Sequence, residues 1–259
     1  MPHAAPAPID PQRAVIIPSY NSGPLLERTV RSVLAFWRPI VVILDGSTDG
    51  SGAPVVELSR TEPGLHVLTH TGNAGKGSAV YAALNFAADR CWTHAAVFDA
   101  DGQHEAADLP RFMQASRENP AAMVMGTPVF GPDAPPIRVL GHRVADFWAR
   151  LETPGTHLGD SLFGFRVYPV LPAVKVMHDT RAGRGFDFDT QLAVRLAWAG
   201  LPIINLATPV RYRRSGGNGV SHFHYLRDNL LLIRTHASLL LHAPARYRRL
   251  IAGNKTRPA

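Results

Sequence analysis

The chain has 259 residues, 46% of them hydrophobic and 18% charged, which supports a well-buried globular domain and excludes wholesale disorder. Its net charge of +7 is unevenly placed: residues 226–259 carry seven Lys/Arg against the single acid Asp228, so the basic character belongs to the C-terminal tail. One cysteine, Cys91, excludes an intramolecular disulfide framework and a cysteine-cluster zinc site, and its Ala-rich and aromatic neighbours predict a small packed side chain.

Residues 1–12 put four prolines in the first eleven positions and contain no apolar h-region, so they are expected to form a flexible arm and not a signal peptide. A cytosolic setting fits. From residue 13 short β-branched runs alternate with helical patterns. Ala14–Ile17, Ile40–Leu44, Leu65–Thr69, Ala95–Phe98 and Met123–Met125 read as strands, with helices at Leu25–Phe36, Ser78–Ala88 and Ala107–Ser116. Residues 131–160 are punctuated by Pro and Gly around one helical stretch, Val139–Leu151. Thr190–Ala199 is a helix stopped by Gly200, Ile203–Leu206 is a strand, and Leu226–Leu241 is a final helix before Pro244. The pattern predicts one α/β domain over 13–225, a mostly parallel sheet with helices on both faces, followed by an amphipathic helix and basic tail over 226–259.

Ligands of open parallel sheets bind where the strands end. Four polar, Gly-rich clusters follow the first four strands and converge there: Pro18-Ser19-Tyr20-Asn21, Asp45 to Gly50, Gly72 to Gly77, and Asp99 to His104. Asp99-Ala100-Asp101 is the sharpest. Residues i and i+2 leaving a strand point the same way, and paired hard oxygen ligands with open positions suit Mg2+ or Mn2+ beside phosphate oxygens. Asn73-Ala74-Gly75-Lys76-Gly77 opens a helix whose free amides and lysine could hold an anion, although neither GxxxxGK[ST] nor GxGxxG is present. The Asp45–Gly50 cluster either contacts a base and ribose or caps the next helix.

Taken together, Ile16-Ile17-Pro18-Ser19-Tyr20-Asn21, Asp45-Gly46-Ser47-Thr48-Asp49-Gly50-Ser51, Asn73-x-Gly75-Lys76-Gly77 and Asp99-Ala100-Asp101-Gly102-Gln103-His104 resemble the family 2 glycosyltransferases of the GT-A fold. Asp160-x-x-x-Gly164-Phe165-Arg166, the Phe186–Gln191 run, Gly200 and Ser221-His222-Phe223 are similar to the dolichol- and polyprenyl-phosphate sugar transferase branch, over roughly residues 13–230. The resemblance implies that Pro18, Tyr20, Asn21 and Asp45 hold the nucleotide, with Lys76 nearby. It implies that Asp99 and Asp101 bind a divalent ion on the donor diphosphate. Asp189 falls where relatives carry the general base, with Asp187 and Asp160 as rivals, and Arg166, Arg211, Arg213 and His222 are candidate diphosphate or acceptor contacts. Two departures stand out: Leu44 replaces the first acid of the usual D-D-G-S, and Phe188 replaces the Glu before Asp189.

The resulting expectation is an inverting, metal-dependent transfer of a sugar from a UDP- or GDP-linked donor to a lipid-linked, polyprenyl-phosphate-like acceptor, catalysed on the cytoplasmic side. The divalent ion would stabilise the leaving diphosphate. A hydroxyl acceptor would need a base such as Asp189, whereas a phosphate acceptor is already ionised. The rivals are transfer to a hydroxyl on another lipid or small molecule, a sugar nucleotidyltransferase, and a non-catalytic nucleotide-binding relative. Arg211-Tyr212-Arg213-Arg214 before a Ser/Gly run reads either as solvated surface or as a basic lid. The tail, with Leu226, Leu230, Ile233 and Leu240 on one helix face and basic residues downstream, reads either as a solvated C-terminus or as a peripheral contact with an anionic membrane, and not as a nucleic-acid module.

Overall fold

The apolar runs of the first half form parallel strands. The computed structural model describes residues 7–132, 134–180, 183–210 and 225–243, with side chains of the last helix described from residue 230. In it β1 (Arg13–Ser19), β2 (Ile40–Asp45), β3 (Leu65–His70), β4 (His94–Val97), β5 (Met123–Phe130), β6 (Arg166–Pro169) and β7 (Ile203–Val210) build a sheet of order β3-β2-β1-β4-β6-β5-β7. Every pairing is parallel except those of β6, which runs antiparallel to both β4 and β5.

Strand residues alternate between two buried faces, which is why the runs are continuously apolar. Ala14, Ile16, Val41 and Ile43 face one cluster, and Val15, Ile17, Ile40 and Val42 the other. The first cluster packs under α3 (Lys76–Asp89), α6 (Val170–Asp179) and α7 (Phe188–Trp198). The second packs under α1 (Leu25–Leu34), α2 (Ala53–Ser59) and α4 (Leu109–Glu118). In α3 the inward residues are mostly small (Gly77, Ala79, Ala83, Ala87), which lets that helix lie close on the sheet. Behind these layers α5 (Pro136–Glu152) and α8 (Tyr225–His242) meet through a buried contact, His236 Nδ1 to Glu152 Oε1 at 2.7 Å. Among the described residues no helix is long and apolar enough to cross a membrane.

Several expectations change. Residues 9–12, read as part of a loose arm, are tied down: the Asp10 amide donates to Arg38 O, and Asp10 Oδ1 accepts from the amides of Gln12 and Arg13 at 2.8 Å each. Cys91 is exposed and not packed, because it sits just past the end of α3 with φ 57°, a left-handed turn that aims the side chain outward. The elements α2, α6 and β6 were not expected. β6 is four residues long and starts at Arg166, the last residue of the Gly164-Phe165-Arg166 run, where motif residues mask a strand pattern.

Candidate active site

The ends of β1, β2 and β4 and the start of antiparallel β6 lie along one edge of the sheet, and α3 and α7 bring their N-termini to it. Pro18 is tolerated inside β1 because the β1–β4 ladder ends at Ile16–Val97, with Phe98 N donating to Ile16 O. The N–H that proline lacks faces a neighbour that has already left the sheet.

The turns after β1 and β2 are stitched together. Asn21, at φ 46°, donates its amide to Ser47 Oγ at 3.0 Å and accepts from Thr48 N at 2.8 Å, and Asp49 accepts from Gly23 N at 2.9 Å. Tyr20 is half-buried beside them. Asp45 is almost fully buried, and both its oxygens are engaged: Oδ1 with His70 Nδ1 at 2.7 Å and Ala74 N at 3.1 Å, Oδ2 with Gly75 N at 2.8 Å. It holds the 72–75 loop in place. Leu44 packs into the core, against the position where a Cβ on Gly52 would stand, so the missing acid is replaced by an apolar contact.

The expected anion cradle at the start of α3 is closed. The amides of Gly77 and Ser78 donate to Gly185 O and Arg184 O, at 3.3 and 3.1 Å. A Cβ on Gly77 would lie 1.9 Å from Gly183 O, so two backbone segments touch directly and only glycine fits. With these amides used, the charge that this loop presents is Lys76.

Lys76 is the hinge pin of the site. Its Nζ lies 2.8 Å from Asp99 Oδ1 and 2.7 Å from Asp189 Oδ2, joining residues 113 positions apart in the chain. Burial alone would lower the Lys76 pKa, but Asp189 and then Asp99 outweigh it and hold the ammonium above the ordinary lysine value. Burial likewise pushes Asp99 up, yet Lys76 and then His104 bring its carboxyl below the usual range. Asp101 behaves oppposite to Asp99: burial, reinforced by the Asp99 charge, raises its carboxyl despite the pull of His104. The two acids sit in a turn after β4, which ends at Val97, and not on an extended strand; Ala100 between them has its side chain in the apolar cluster and does not line the site. Asp101 Oδ1 accepts from Gln103 N at 2.9 Å.

Below these carboxylates lies an aromatic floor. Phe165 stacks on Phe112 at 4.1 Å and meets Phe98 edge-on at 5.2 Å, and His104 meets Phe163 at 4.8 Å. His104, unassigned from sequence although part of the Asp99–His104 motif, stands with Nε2 3.6 Å from Asp99 Oδ2. Gly164, also without an expected role, has no room for a side chain: a Cβ there would be 2.4 Å from Asp99 Oδ2 and 3.0 Å from Lys76 Nζ.

The other candidates separate clearly. Arg166 is fully buried and does not reach an open surface. Its Nη1 donates to Tyr168 Oη and to Asp189 O, and its Nη2 to Asp160 O at 3.0 Å, so it braces the first turn of α7 and the loop at Asp160 from beneath. Asp160 is buried as well: Oδ1 accepts from Leu162 N and Phe163 N, and Oδ2 pairs with His142 Nδ1 at 2.5 Å. Asp187 accepts from the amides of Gly183 and Gly185 and from Thr235 Oγ1. Both acids shape loops, which leaves Asp189 as the carboxylate at the site's centre, its Oδ1 buried without a hydrogen-bond partner among the described residues. Phe188, in place of the expected Glu, is fully buried in the core. Arg211, Arg213, His222 and the expected basic lid lie outside the described residues.

The donor chemistry suits a divalent ion held jointly with a ligand. Among the described residues no group of three or more His, Cys, Asp or Glu forms a complete metal cage. Asp99 and Asp101 are hard carboxylates two residues apart, the donor type that could supply oxygens to Mg2+ or Mn2+ beside phosphate oxygens and water.

Comparison with known proteins agrees with this architecture. The chain is 28% identical over 221 residues to the undecaprenyl-phosphate mannosyltransferase of Micrococcus luteus, covering 80% of this chain and 86% of that protein. It is 28% identical over 232 residues to the polyprenol monophosphomannose synthase of Mycolicibacterium smegmatis, covering 83% and 84%. The fold is similar to glucosyl-3-phosphoglycerate synthase from Mycobacterium tuberculosis, solved with Mn2+ and UDP-glucose, with TM-score 0.62 and 16% identity over 90% of this chain and 78% of that one. Residues 14–171 match the model of glycosyl transferase family 2, more than half of the chain, and the protein belongs to that family.

Proposed function

We propose that this glycosyltransferase moves a hexosyl group from a nucleoside diphosphate sugar to the phosphate of a polyprenyl lipid, with inversion and with Mg2+ or Mn2+. The observation that carries the reading is the Asp99–Lys76–Asp189 chain at the sheet edge, with Asp101 two residues beyond Asp99. Asp99 and Asp101 would hold the ion, which when bound supplies Lewis-acid stabilisation of the leaving diphosphate. Lys76 adds fixed positive charge beside it, and the aromatic floor lowers the local dielectric so that this charge counts for more. The stitched turns at Pro18, Tyr20, Asn21 and Asp45 form the shelf for the base and ribose. The Mn2+ and UDP-glucose of the structural neighbour support the metal and the donor class, and the names of the two relatives support the acceptor.

Asp189 bears on the choice of acceptor. Its Oδ2 is held by Lys76 and its side chain is 8% exposed, an arrangement that suits positioning Lys76 better than free proton abstraction. A phosphate acceptor needs no base, so this favours the phosphate over a hydroxyl. Transfer to a hydroxyl, with Asp189 released from Lys76 to act as base, is the second reading. Family membership removes the nucleotidyltransferase alternative. The enzyme acts in the cytoplasm, against the membrane that carries its acceptor.

The test is calorimetric binding of UDP and GDP, with and without Mn2+, to the wild type and Asp101→Ala, followed by transfer to a short-chain prenyl phosphate and to the matching prenol. Metal-dependent binding of one nucleotide, lost in the variant, with product from the phosphate alone is expected. Absence of nucleotide binding under every metal condition overturns the donor site, and equal transfer to the prenol overturns the phosphate acceptor.

A further inference from the structure

Helix α5 is built inside out for a helix that faces water. Its core-facing positions are Ala145, Ala149 and Glu152, all buried. Its large apolar residues, Ile137, Leu140, Val144, Phe147, Trp148 and Leu151, are between 37% and 60% exposed. At about 100° per residue these six fall within an arc of about 100° on one side of the helix. Exposed Arg143 and Arg150 fall along one border of that arc. A soluble helix places its bulky residues inward, so a stripe of this size marks an interaction surface.

We infer that the outward face of α5 is the surface by which this protein seats on an anionic lipid bilayer, with the apolar arc in the headgroup–acyl boundary and Arg143 and Arg150 against the headgroups. The inference rests on the polyprenyl-phosphate reading above, and three observations choose a bilayer as occupant. The arc is apolar along the whole helix with cations at its border, the pattern of a helix lying in the interface plane. The same helix reaches the candidate site from its other side: His142 pairs with Asp160, and Asp146 Oδ1 accepts from Ser161 N at 3.0 Å. The 160–164 loop held in this way presents Gly164 to Asp99, so a bilayer under α5 lies next to the loop that closes the site. Finally, α8, joined to α5 through Glu152 and His236, also exposes Leu230 and Ile233. The contact therefore belongs to a folded helix in mid-chain and not to the basic tail alone.

The protein carries its own probe. Of its four tryptophans, Trp37, Trp92 and Trp198 are buried and Trp148 stands on the stripe. The full chain is mixed with vesicles of phosphatidylcholine alone or with phosphatidylglycerol, and binding is read by co-sedimentation and by fluorescence quenching from acyl-chain-brominated lipid. Wild type is expected to bind the anionic vesicles and to be quenched, and Trp148→Phe to lose the quenching. Leu140→Ser with Phe147→Ser should reduce partitioning at least ~10-fold, with melting temperature and nucleotide binding unchanged. Arg143→Glu with Arg150→Glu should weaken binding to anionic vesicles only. Binding that the serine pair leaves intact, or quenching that survives Trp148→Phe, overturns the inference. So does a concentration-dependent dimer that the serine pair dissolves while wild type ignores vesicles. Transfer to the short-chain prenyl phosphate, measured without vesicles, keeps the two readings apart. If transfer persists and vesicle binding is absent, the membrane face alone falls; if vesicles bind and no transfer occurs, the acceptor reading alone falls.

Discussion

Lys76 decides how the centre of the site behaves. Asp99 and Asp189 reach it from different elements, and without the ammonium two partly buried carboxylates would face each other. Asp99, with its folded pKa lowered, contributes stability that is present above about pH 4 and lost as pH falls through the lowered value. Lys76, with its folded pKa raised, contributes stability present below about pH 10.4 and lost only as pH rises through the higher folded value. Lys76→Met should therefore cost about 2 kcal/mol at neutral pH, after allowance for partial exposure, and the deficit should narrow only as pH falls below about 4, as followed by thermal unfolding across pH. Gly164 constrains the same carboxylate sterically. Gly164→Ala pushes a methyl group onto Asp99 Oδ2, and a displacement of this kind should lower kcat by about 10²-fold while circular dichroism stays native. Wild-type turnover in this variant would show that the Asp99 position is not critical. Both residues and their partners stood in recognised motifs, but the pairing was not legible: nothing in the spacing of positions 76, 99 and 189 announces that one nitrogen touches two carboxylates.

At the scale of elements, α5 joins the site to the surface. Asp146 on its inner side has its carboxyl pushed up to about 6, first by burial and then by the Asp160 charge, with His142 and Arg150 pulling the other way. For an acid raised on folding, the stabilising contribution is complete below the unfolded value near pH 4 and is lost as pH rises to about 6. Asp146→Asn keeps an oxygen for the Ser161 amide and removes the titration, so its stability should be flatter than wild type between those limits, by about 1 kcal/mol after screening. Matched melting curves from pH 4 to 7 measure it, and parallel profiles would sink it. The helix itself was legible from its periodicity over Val139–Leu151; which of its faces meets the core was not, because Ala145 and Ala149 face inward by virtue of what packs there. In the same way α3 read correctly as a helix opening, but the cap on its amides comes from residues 184 and 185, more than a hundred positions later.

For the molecule as a whole, the candidate site joins the two halves of the chain. Lys76 and Asp99 come from the βα repeats of the first half, and Gly164, Arg166 and Asp189 from the irregular second half. A ligand that bridges them should stabilise the entire fold: at 100 times its Kd a nucleoside diphosphate with Mn2+ adds about 2.7 kcal/mol, raising the melting temperature by several degrees. Asp101→Ala should lose that shift while keeping its ligand-free melting temperature within about two degrees of wild type. The sequence by itself determined the parallel sheet, through continuous β-branched runs separated by helices, and the clustering of polar turns at its edge, because strand ends in a parallel sheet must share a side. It also determined the family, through motifs in order. Only the tertiary structure decided that Asp160, Asp187 and Arg166 serve as braces, that the α3 amides are closed, that Cys91 is exposed, and that α5 turns its bulk outward. Those outcomes depend on contacts between distant segments, and a local pattern carries no record of which distant backbone will satisfy a donor or cover a face.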